Sequence, residues 1–269
     1  MTFKSILTHV EPSSSPLESK HLAYALQLAE AFKAHLVALV FETEVMEPTA
    51  EKAAGDVVGR DAHVATQIRE AAESRSVSCE VRGRSSFAYG FPDVFIDHAR
   101  VSDLSVIGYG PSRTMAQRML AGQAIFFSGR PTLIVPEAVN LPALPRRVAI
   151  AWDATPASVR ALHNALPLIL QAEETIVFSV TDDKELRRGH SGLEVTNLLA
   201  RHGATARFEP ILLQRRNVMV ALTEAAAFHQ ASLLVMGCLG HSPIYEMVFG
   251  SATTDLLRGQ ATMAVLASA

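Results

Sequence analysis

Four small residues in the C-terminal part of the chain are spaced so that they could bind an anion. Gly237, Gly240, Gly250 and Ser251 follow an apolar segment in the pattern G-x2-G-x9-G-S. A glycine has no Cβ, so the backbone turns sharply there and approaches a ligand closely. Gly250 and Ser251 open a predicted helix, whose unpaired N–H groups and positive dipole end favour a phosphate. The spacing therefore predicts a phosphate-binding turn, to which the Ser251 hydroxyl adds a donor.

An acidic residue at the end of another predicted strand could complete this site. Asp153 follows the apolar segment 147–152, and its carboxylate could accept hydrogen bonds from a ribose or a base edge. Alternatively, Asp153 is only the N-cap of a helix that starts near Pro156, and the glycines form a tight turn without a ligand. Taken together, the residues favour a nucleotide site.

Short apolar runs alternate with segments of helical period, which is typical of βαβ units around a parallel sheet. The strands predicted in the second half cover residues 147–152, 174–180, 205–212, 232–236 and 262–267. The helices between them cover residues 156–171, 191–202, 217–229 and 250–258, with Asn217 as an N-cap. The strands predicted in the first half cover residues 3–10, 35–41, 77–82, 104–108 and 132–135. Such sheets bind ligands at the carboxyl ends of their strands, where the strand order reverses.

The two halves of the chain share an internal repeat. Three pairs of segments match: 4–11 with 146–153, 104–108 with 233–237, and 131–136 with 261–266. Residues 136–145 between the halves carry three prolines, which oppose both helix and central strand. We therefore predict an α/β protein of two tandem Rossmann-like domains, 1–137 and 146–269. Each is predicted to be a five-stranded parallel sheet with helices on both faces.

The motif resembles the ATP-binding motif of the universal stress protein family. The glycines and serine that follow an apolar strand, together with the strand-closing Asp153, carry this resemblance. The whole chain is similar to the tandem members of that family, in which two such domains are fused. The resemblance implies ATP with Mg²⁺ as the cofactor, with the adenosine near Asp153 and the backbone at Val180. The cofactor-binding residues that it implies are Asp153, Val180, Gly237, Gly240, Gly250, Ser251 and Ala252.

Both halves depart from the family pattern. In the second half, Leu239 stands where a basic residue often precedes the second glycine. His241 would replace that charge only weakly near neutral pH. In the first half, Pro111 stands where the second glycine should be, and a proline has no N–H for a phosphate. The other departures there are Gly122 one residue late, Gln123 in place of the serine, and Glu11 in place of Asp153. We therefore expect the first half not to bind ATP in the family manner.

The resemblance implies a nucleotide-responsive stress or signalling role. ATP would order the loop 237–251 and so change the surface that an unidentified protein partner meets. The resemblance also implies an intramolecular pseudo-dimer in which strands 132–135 and 262–267 meet edge to edge. A further homodimer stays open.

Two other classes of function also stay open. One is a slow ATPase or adenylyl-transfer enzyme, with self-phosphorylation at Ser251, Thr253 or Thr254. The other is a nucleotide-free oligomeric scaffold. The sequence contains neither a P-loop nor a G-x-S-x-G elbow, so it favours binding over turnover.

The amino-acid composition limits the classes of partner and the compartment that we expect. The 24 Lys and Arg residues against 27 Asp and Glu give a net charge of −3, which offers no general attraction to nucleic acid or anionic membranes. Cys79 and Cys238 lie outside any C-x-x-C pattern, which excludes a disulfide framework and favours a reducing compartment. Cys238 and His241 lack a second ligand pair, so we expect no zinc site. No apolar run reaches the ~18 residues of a membrane span, and we expect a cytoplasmic protein.

Overall fold

The structure, a computed structural model, describes most of the 269-residue chain. The described residues are 2–12, 15–42, 53–83, 92–110, 114–137, 141–142, 144–180, 192–238, 251–259 and 261–269. For residues 53–61 and 251, the structure describes the backbone alone.

Ten strands form one sheet, and each half of the chain contributes five of them. The first half forms β1 (Ser5–Val10), β2 (His35–Val40), β3 (Cys79–Gly83), β4 (Leu104–Tyr109) and β5 (Thr132–Pro136). The second half forms β6 (Arg147–Ala151), β7 (Glu174–Val180), β8 (Ala206–Ile211), β9 (Leu233–Gly237) and β10 (Ala264–Ser268). Every predicted strand overlaps one of these, so the apolar runs were correctly interpreted.

The strands run in the order β3-β2-β1-β4-β5-β10-β9-β6-β7-β8. Within each half all neighbours are parallel. β5 and β10 pair antiparallel and join the halves into one continuous sheet. The predicted α/β class is therefore confirmed, and the two final strands pair edge to edge as the resemblance implied. The domain limits 1–137 and 146–269 stay a prediction.

Helices cover both faces of the sheet. The described helices are α1 (Lys20–Phe32), α2 (Ala53–Glu73), α3 (Asp93–Arg100), α4 (Met115–Phe127), α5 (Pro156–Ile169), α6 (Gly192–Arg201), α7 (Val218–Phe228) and α8 (Ser251–Leu257). Helices α1, α2, α5 and α6 bury their apolar side chains in one core, and α3, α4, α7 and α8 bury theirs in a second core on the other face. In the part of the chain that the structure describes, no helix combines the length and apolar character needed to cross a membrane.

Local sequence signals explain where two helices of the second half, α5 and α7, begin. Helix α5 has Pro156 in its first turn, where a missing N–H costs nothing. Asn217 caps α7 as predicted, since its Oδ1 accepts a hydrogen bond from the Met219 N–H at 2.8 Å.

The outer strand β8 has the features of a protected edge strand. Its residues are mostly half-buried, whereas β5 and β10 at the centre are buried throughout. β8 contains Pro210, which has no N–H for a second neighbour. It also carries Arg207 and Glu209, which form an ion pair at 2.6 Å. Charge and proline together protect this edge from pairing with another chain.

The sheet register corrects one of the three repeat matches. Ile6 and Val148 are equivalent in the repeat, and they pair with Leu104 and Leu233 respectively, so these two leucines are also equivalent. The residues that follow the leucines, Ser105 and Leu234, pair with Thr132 and Val265 respectively. The segment 131–136 is therefore equivalent to 264–269, and the match with 261–266 was wrong by three residues. Short apolar strands resemble one another when they are slid along the sequence, and only hydrogen-bond pairing fixes their register.

Candidate functional site

Three neighbouring strands bring predicted site residues together at their carboxyl ends. β6 lies between β7 and β9, at the point where the strand order of the second half reverses. Asp153 stands two residues beyond β6, Val180 ends β7, and Gly237 ends β9. These residues, distant in sequence, share the position at which open α/β sheets bind their ligands.

The Asp153 carboxylate uses one oxygen to hold the turn that enters α5. Asp153 Oδ1 accepts hydrogen bonds from the Thr155 N–H at 3.0 Å and from the Thr155 hydroxyl at 2.7 Å. Between them, Ala154 adopts a left-handed conformation with φ of 60°. Among the described residues, no hydrogen bond reaches Asp153 Oδ2. One carboxylate oxygen of this half-buried residue is therefore available to a ligand.

Thr155, rather than Asp153, caps helix α5. The Thr155 Oγ1 accepts a hydrogen bond from the Ser158 N–H at 3.2 Å. The alternative in which Asp153 is the N-cap is therefore wrong, because Asp153 supports the cap from outside the helix. Thr155 was not predicted as the cap, although a threonine directly before a helix-starting proline is a recognised N-cap signal.

Gly237 lies against the backbone of α5. A Cβ at this position would come within 2.4 Å of the Ser158 backbone N and 2.5 Å of the Ala157 carbonyl carbon. No side chain fits between the end of β9 and the first turn of α5. The glycine therefore brings strand and helix together at the site, which is a packing role in addition to the ligand approach that the motif suggested.

Two hydrogen bonds hold α8, the short helix that begins with Ser251. The Thr253 side chain hydrogen-bonds to the Cys238 thiol at the end of β9, and Thr253 is buried. The Asn217 Nδ2 donates to Asp255 Oδ2 at 2.5 Å, which ties α8 to the start of α7. Ala252 is half-buried and packs against the second core. These contacts tie α8 to the end of β9, to the start of α7 and to the second core.

Part of the predicted motif lies outside the described residues. Gly240 and Gly250 belong to this part, as do Leu239 and His241, and for Ser251 only the backbone position in α8 is described.

Burial raises the pKa of the Cys238 thiol to about 12, although the bond to Thr253 acts in the opposite direction. Cys238 is therefore a protonated thiol at neutral pH. Within the described ranges, no group of three or more His, Cys, Asp or Glu side chains is arranged to hold a metal ion.

Comparison with known proteins identifies the architecture. A solved universal stress protein from Archaeoglobus fulgidus DSM 4304 matches 99% of this chain and 97% of its own, with a TM-score of 0.76 and 14% identity. The chain has the universal stress protein fold. A protein from Pseudomonas aeruginosa UCBPP-PA14, assigned to the same family, matches 99% of this chain and 93% of its own, with a TM-score of 0.61 and 16% identity. Both similarities extend over the two halves, so the resemblance to the tandem type is confirmed at the level of the fold.

Other comparisons are narrower. A universal stress protein solved in complex with cAMP matches 50% of this chain and 98% of its own, with a TM-score of 0.38 and 20% identity. No family model matches the sequence, and no curated protein matches it. Because the sequence identities are low, the similarity to universal stress proteins lies in the backbone fold.

The first half of this universal stress protein fold differs at the position of Val180. The pairing of Ser5 with His35 corresponds to that of Arg147 with Glu174, so Phe41 is equivalent to Val180. In the first half, His9 Nε2 donates a hydrogen bond to the Phe41 carbonyl at 2.8 Å, and the two rings are in contact, with centroids 4.4 Å apart and planes tilted by 38°. The residue equivalent to His9 in the second half is Ala151. In the first half, a histidine side chain therefore bonds to the backbone position that the resemblance assigns to the adenosine.

The helix entry of the first half also differs. Ser19 is the N-cap of α1, but its side chain does not cap the helix. Instead, the Ser19 hydroxyl lies 2.7 Å from Nδ1 of the buried His21. The His21 Nε2 in turn donates to the His9 carbonyl at 2.8 Å. The half-buried Glu11, which replaces Asp153, accepts a hydrogen bond from the Gln117 Nε2 at 3.0 Å.

Gly122 and Gln123, the counterparts of Gly250 and Ser251 in the first half, do not begin a helix. They lie inside α4, which starts at Met115 with a capping box between Thr114 and Gln117. Backbone N–H groups inside a helix are hydrogen-bonded to the preceding turn, so they offer no donors to a phosphate. Pro111 lies outside the described residues.

Proposed function

We propose that the second half of the chain binds ATP together with Mg²⁺, and that the protein is a nucleotide-responsive stress or signalling protein. The observation that carries this proposal is the convergence of Asp153, Val180 and Gly237 at the reversal point of the second half of the sheet. The fold supports it through its likeness to solved universal stress proteins. Fold alone does not decide function, so the site residues carry the argument.

The groups at this edge suit an adenosine. The available Asp153 oxygen can accept hydrogen bonds from ribose hydroxyls, and the backbone at Val180 can bond to the base edge. The phosphates would then lie on Gly240, Gly250 and Ser251, with Ala252 in the same helical turn. Because no described carboxylate cluster is arranged for a metal, phosphate oxygens and water would supply most ligands of the Mg²⁺.

The proposal includes only one nucleotide per chain. In the first half the Phe41 carbonyl already accepts the His9 N–H, and Gly122 and Gln123 are inside a helix. The first half would therefore be structural, and the loop 237–251 would be the part that responds to ATP and meets a protein partner. The free cysteines Cys79 and Cys238 fit a reducing, cytoplasmic setting.

Stoichiometry tests the proposal directly. We expect native mass spectrometry after addition of Mg-ATP to detect one adenine nucleotide per chain. Asp153→Asn keeps an oxygen for Thr155 but removes the charge, and should weaken ATP binding about tenfold or more. Glu11→Gln, at the equivalent position of the first half, is the matched control and should leave ATP affinity unchanged.

Other outcomes would redirect the assignment. Two bound nucleotides would show that the first half is also active, and none would favour the nucleotide-free scaffold. Gly240→Val should abolish binding in a folded protein, so retained affinity would refute the motif assignment. Self-phosphorylation at Thr253 is disfavoured, because Thr253 is buried and bonded to Cys238.

A further inference from the structure

A cleft opens between helices α5 and α6, on the face of the sheet that carries the first core. Its volume is about 210 Å³. Its walls are apolar: Val159 and Leu162 come from α5, Val195 and Leu198 come from α6, and Trp152 lies between them. None of these residues belongs to the proposed nucleotide site.

The cleft exists because the two helices pack on different strands. Helix α5 lies mainly on β9 and β10, whereas α6 lies on β7 and β8. β6 stands between these pairs of strands, and α5 covers it only in part. Trp152 follows β6 directly and fills the gap only in part, since 9% of its surface stays accessible. The space above the indole is the cleft.

The size and chemistry of the cleft select its occupant. A space of this volume is too small for a peptide or a helix, but a cavity of about 150 Å³ lined by aliphatic and aromatic side chains holds benzene. The indole of Trp152 forms part of the wall, and aromatic rings pack favourably with one another in offset or edge-on geometry. The exposed side chains of His163 and Glu194 lie at the rim and can bond to one polar substituent. We propose that this cleft is a binding site for a single-ring aromatic molecule that carries a hydroxyl group.

This proposal does not depend on nucleotide binding, and binding at the cleft can be followed by intrinsic fluorescence. Trp152 is the sole tryptophan of the chain, so the indole fluorescence of the whole protein originates at the cleft. The probe is p-cresol, titrated into the full-length protein without nucleotide while tryptophan is excited selectively. We expect a saturable change in Trp152 emission, with a dissociation constant of about 1 mM or lower, given the small number of ligand atoms.

Two valines provide a matched pair of variants. Val159 on α5 and Val220 on α7 are both 38% exposed, but they lie on opposite faces of the sheet. Val159→Phe fills the cleft from its mouth and should weaken p-cresol binding at least tenfold. Val220→Phe adds the same group away from the cleft and should leave the affinity within about twofold of the original. Leu198→Phe fills the cleft from the opposite wall and should act like Val159→Phe, which keeps the test valid if one variant does not fold.

The opposite results would overturn the proposal. A linear, non-saturable change in emission would mean that p-cresol acts as a general quencher. Equal affinities of folded Val159→Phe or Leu198→Phe and the unaltered protein would place the ring outside this cleft.

Discussion

Leu133 of β5 and Leu266 of β10 pair directly with each other across the antiparallel ladder that joins the two halves. The register also makes them equivalent: the partner of Val106 in the first half is Leu133, and the partner of the corresponding Val235 in the second half is Leu266. A residue that pairs with its own counterpart marks an axis of two-fold symmetry. The pseudo-two-fold axis of the tandem fold therefore passes between these leucines, and both are fully buried in the first core.

Shortening both leucines should reveal their contact as a coupling energy. Leu133→Val and Leu266→Val each remove a buried methylene and should cost about 1 kcal/mol of unfolding free energy. The double variant should differ from the sum of the single effects by about 0.5 kcal/mol or more, because both changes open the same space. Urea unfolding measures these values.

A control cycle pairs Leu133→Val with Leu199→Val. Leu199 is equally buried, but it lies on α6 above β7 and β8, about 19 Å away at ~4.8 Å per strand. The two effects should add within roughly 0.5 kcal/mol. Additivity in both cycles would contradict the register described for β5 and β10.

Gly237 should not tolerate even a methyl group. Gly237→Ala places a Cβ within 2.4 Å of the Ser158 backbone N, so β9 or α5 must move, at a cost of about 1–3 kcal/mol or more. Gly122→Ala is the matched control, since its Cβ would meet only the Leu257 side chain at 3.8 Å. Inside helix α4 this change should stabilise by up to about 1 kcal/mol. Thermal unfolding of the two variants should therefore shift in opposite directions.

The two thiols should react slowly in the native protein. Burial raises the pKa of Cys79 to about 11 and that of Cys238 to about 12, so both are protonated near pH 7.5, and the thiolate is the reactive form. Titration with a thiol reagent should modify Cys79 first, since it is half-buried on the edge strand β3, and leave Cys238 intact. In denaturant both should react. Rapid native labelling of Cys238 would show that the contact between β9 and α8 opens readily.

Glu209 should contribute to the acid sensitivity of the fold. Burial by itself raises the pKa of Glu209, but hydrogen bonds from Arg207 and His229 together outweigh it and hold the pKa below its ordinary value. A carboxyl whose pKa is depressed in the folded state stabilises the protein above its unfolded pKa of about 4.3. This contribution is lost as the pH falls through the folded pKa.

Glu209→Gln should therefore lower stability at neutral pH and reduce the loss of stability between about pH 5 and 3. Denaturant unfolding across this range provides the measurement. Glu30→Gln is the control, because Glu30 forms an exposed ion pair with Arg75, and exposed pairs contribute little. An unchanged acid slope in Glu209→Gln would exclude this network as a source of the acid sensitivity.

Local patterns in the sequence determined the elements of this protein. The apolar runs predicted the strands because central parallel strands are buried on both faces and read as continuous hydrophobic segments. Asn217 predicted the start of α7 because N-capping depends on contacts within one turn. The repeat of these patterns predicted two similar halves, and the glycine spacing indicated which half could bind a nucleotide.

Tertiary structure decided what depends on residues far apart in the chain. The pairing of Leu133 with Leu266, the contact of Gly237 with Ser158, and the bond from His9 to Phe41 each join separate elements. Their partners are set by sheet register and helix packing, which a one-dimensional pattern does not encode. The cleft above Trp152 arises in the same way, because it depends on which strands α5 and α6 cover. Spacing along the chain could indicate the proposed nucleotide site, whereas only the packed sheet and helices could form the cleft.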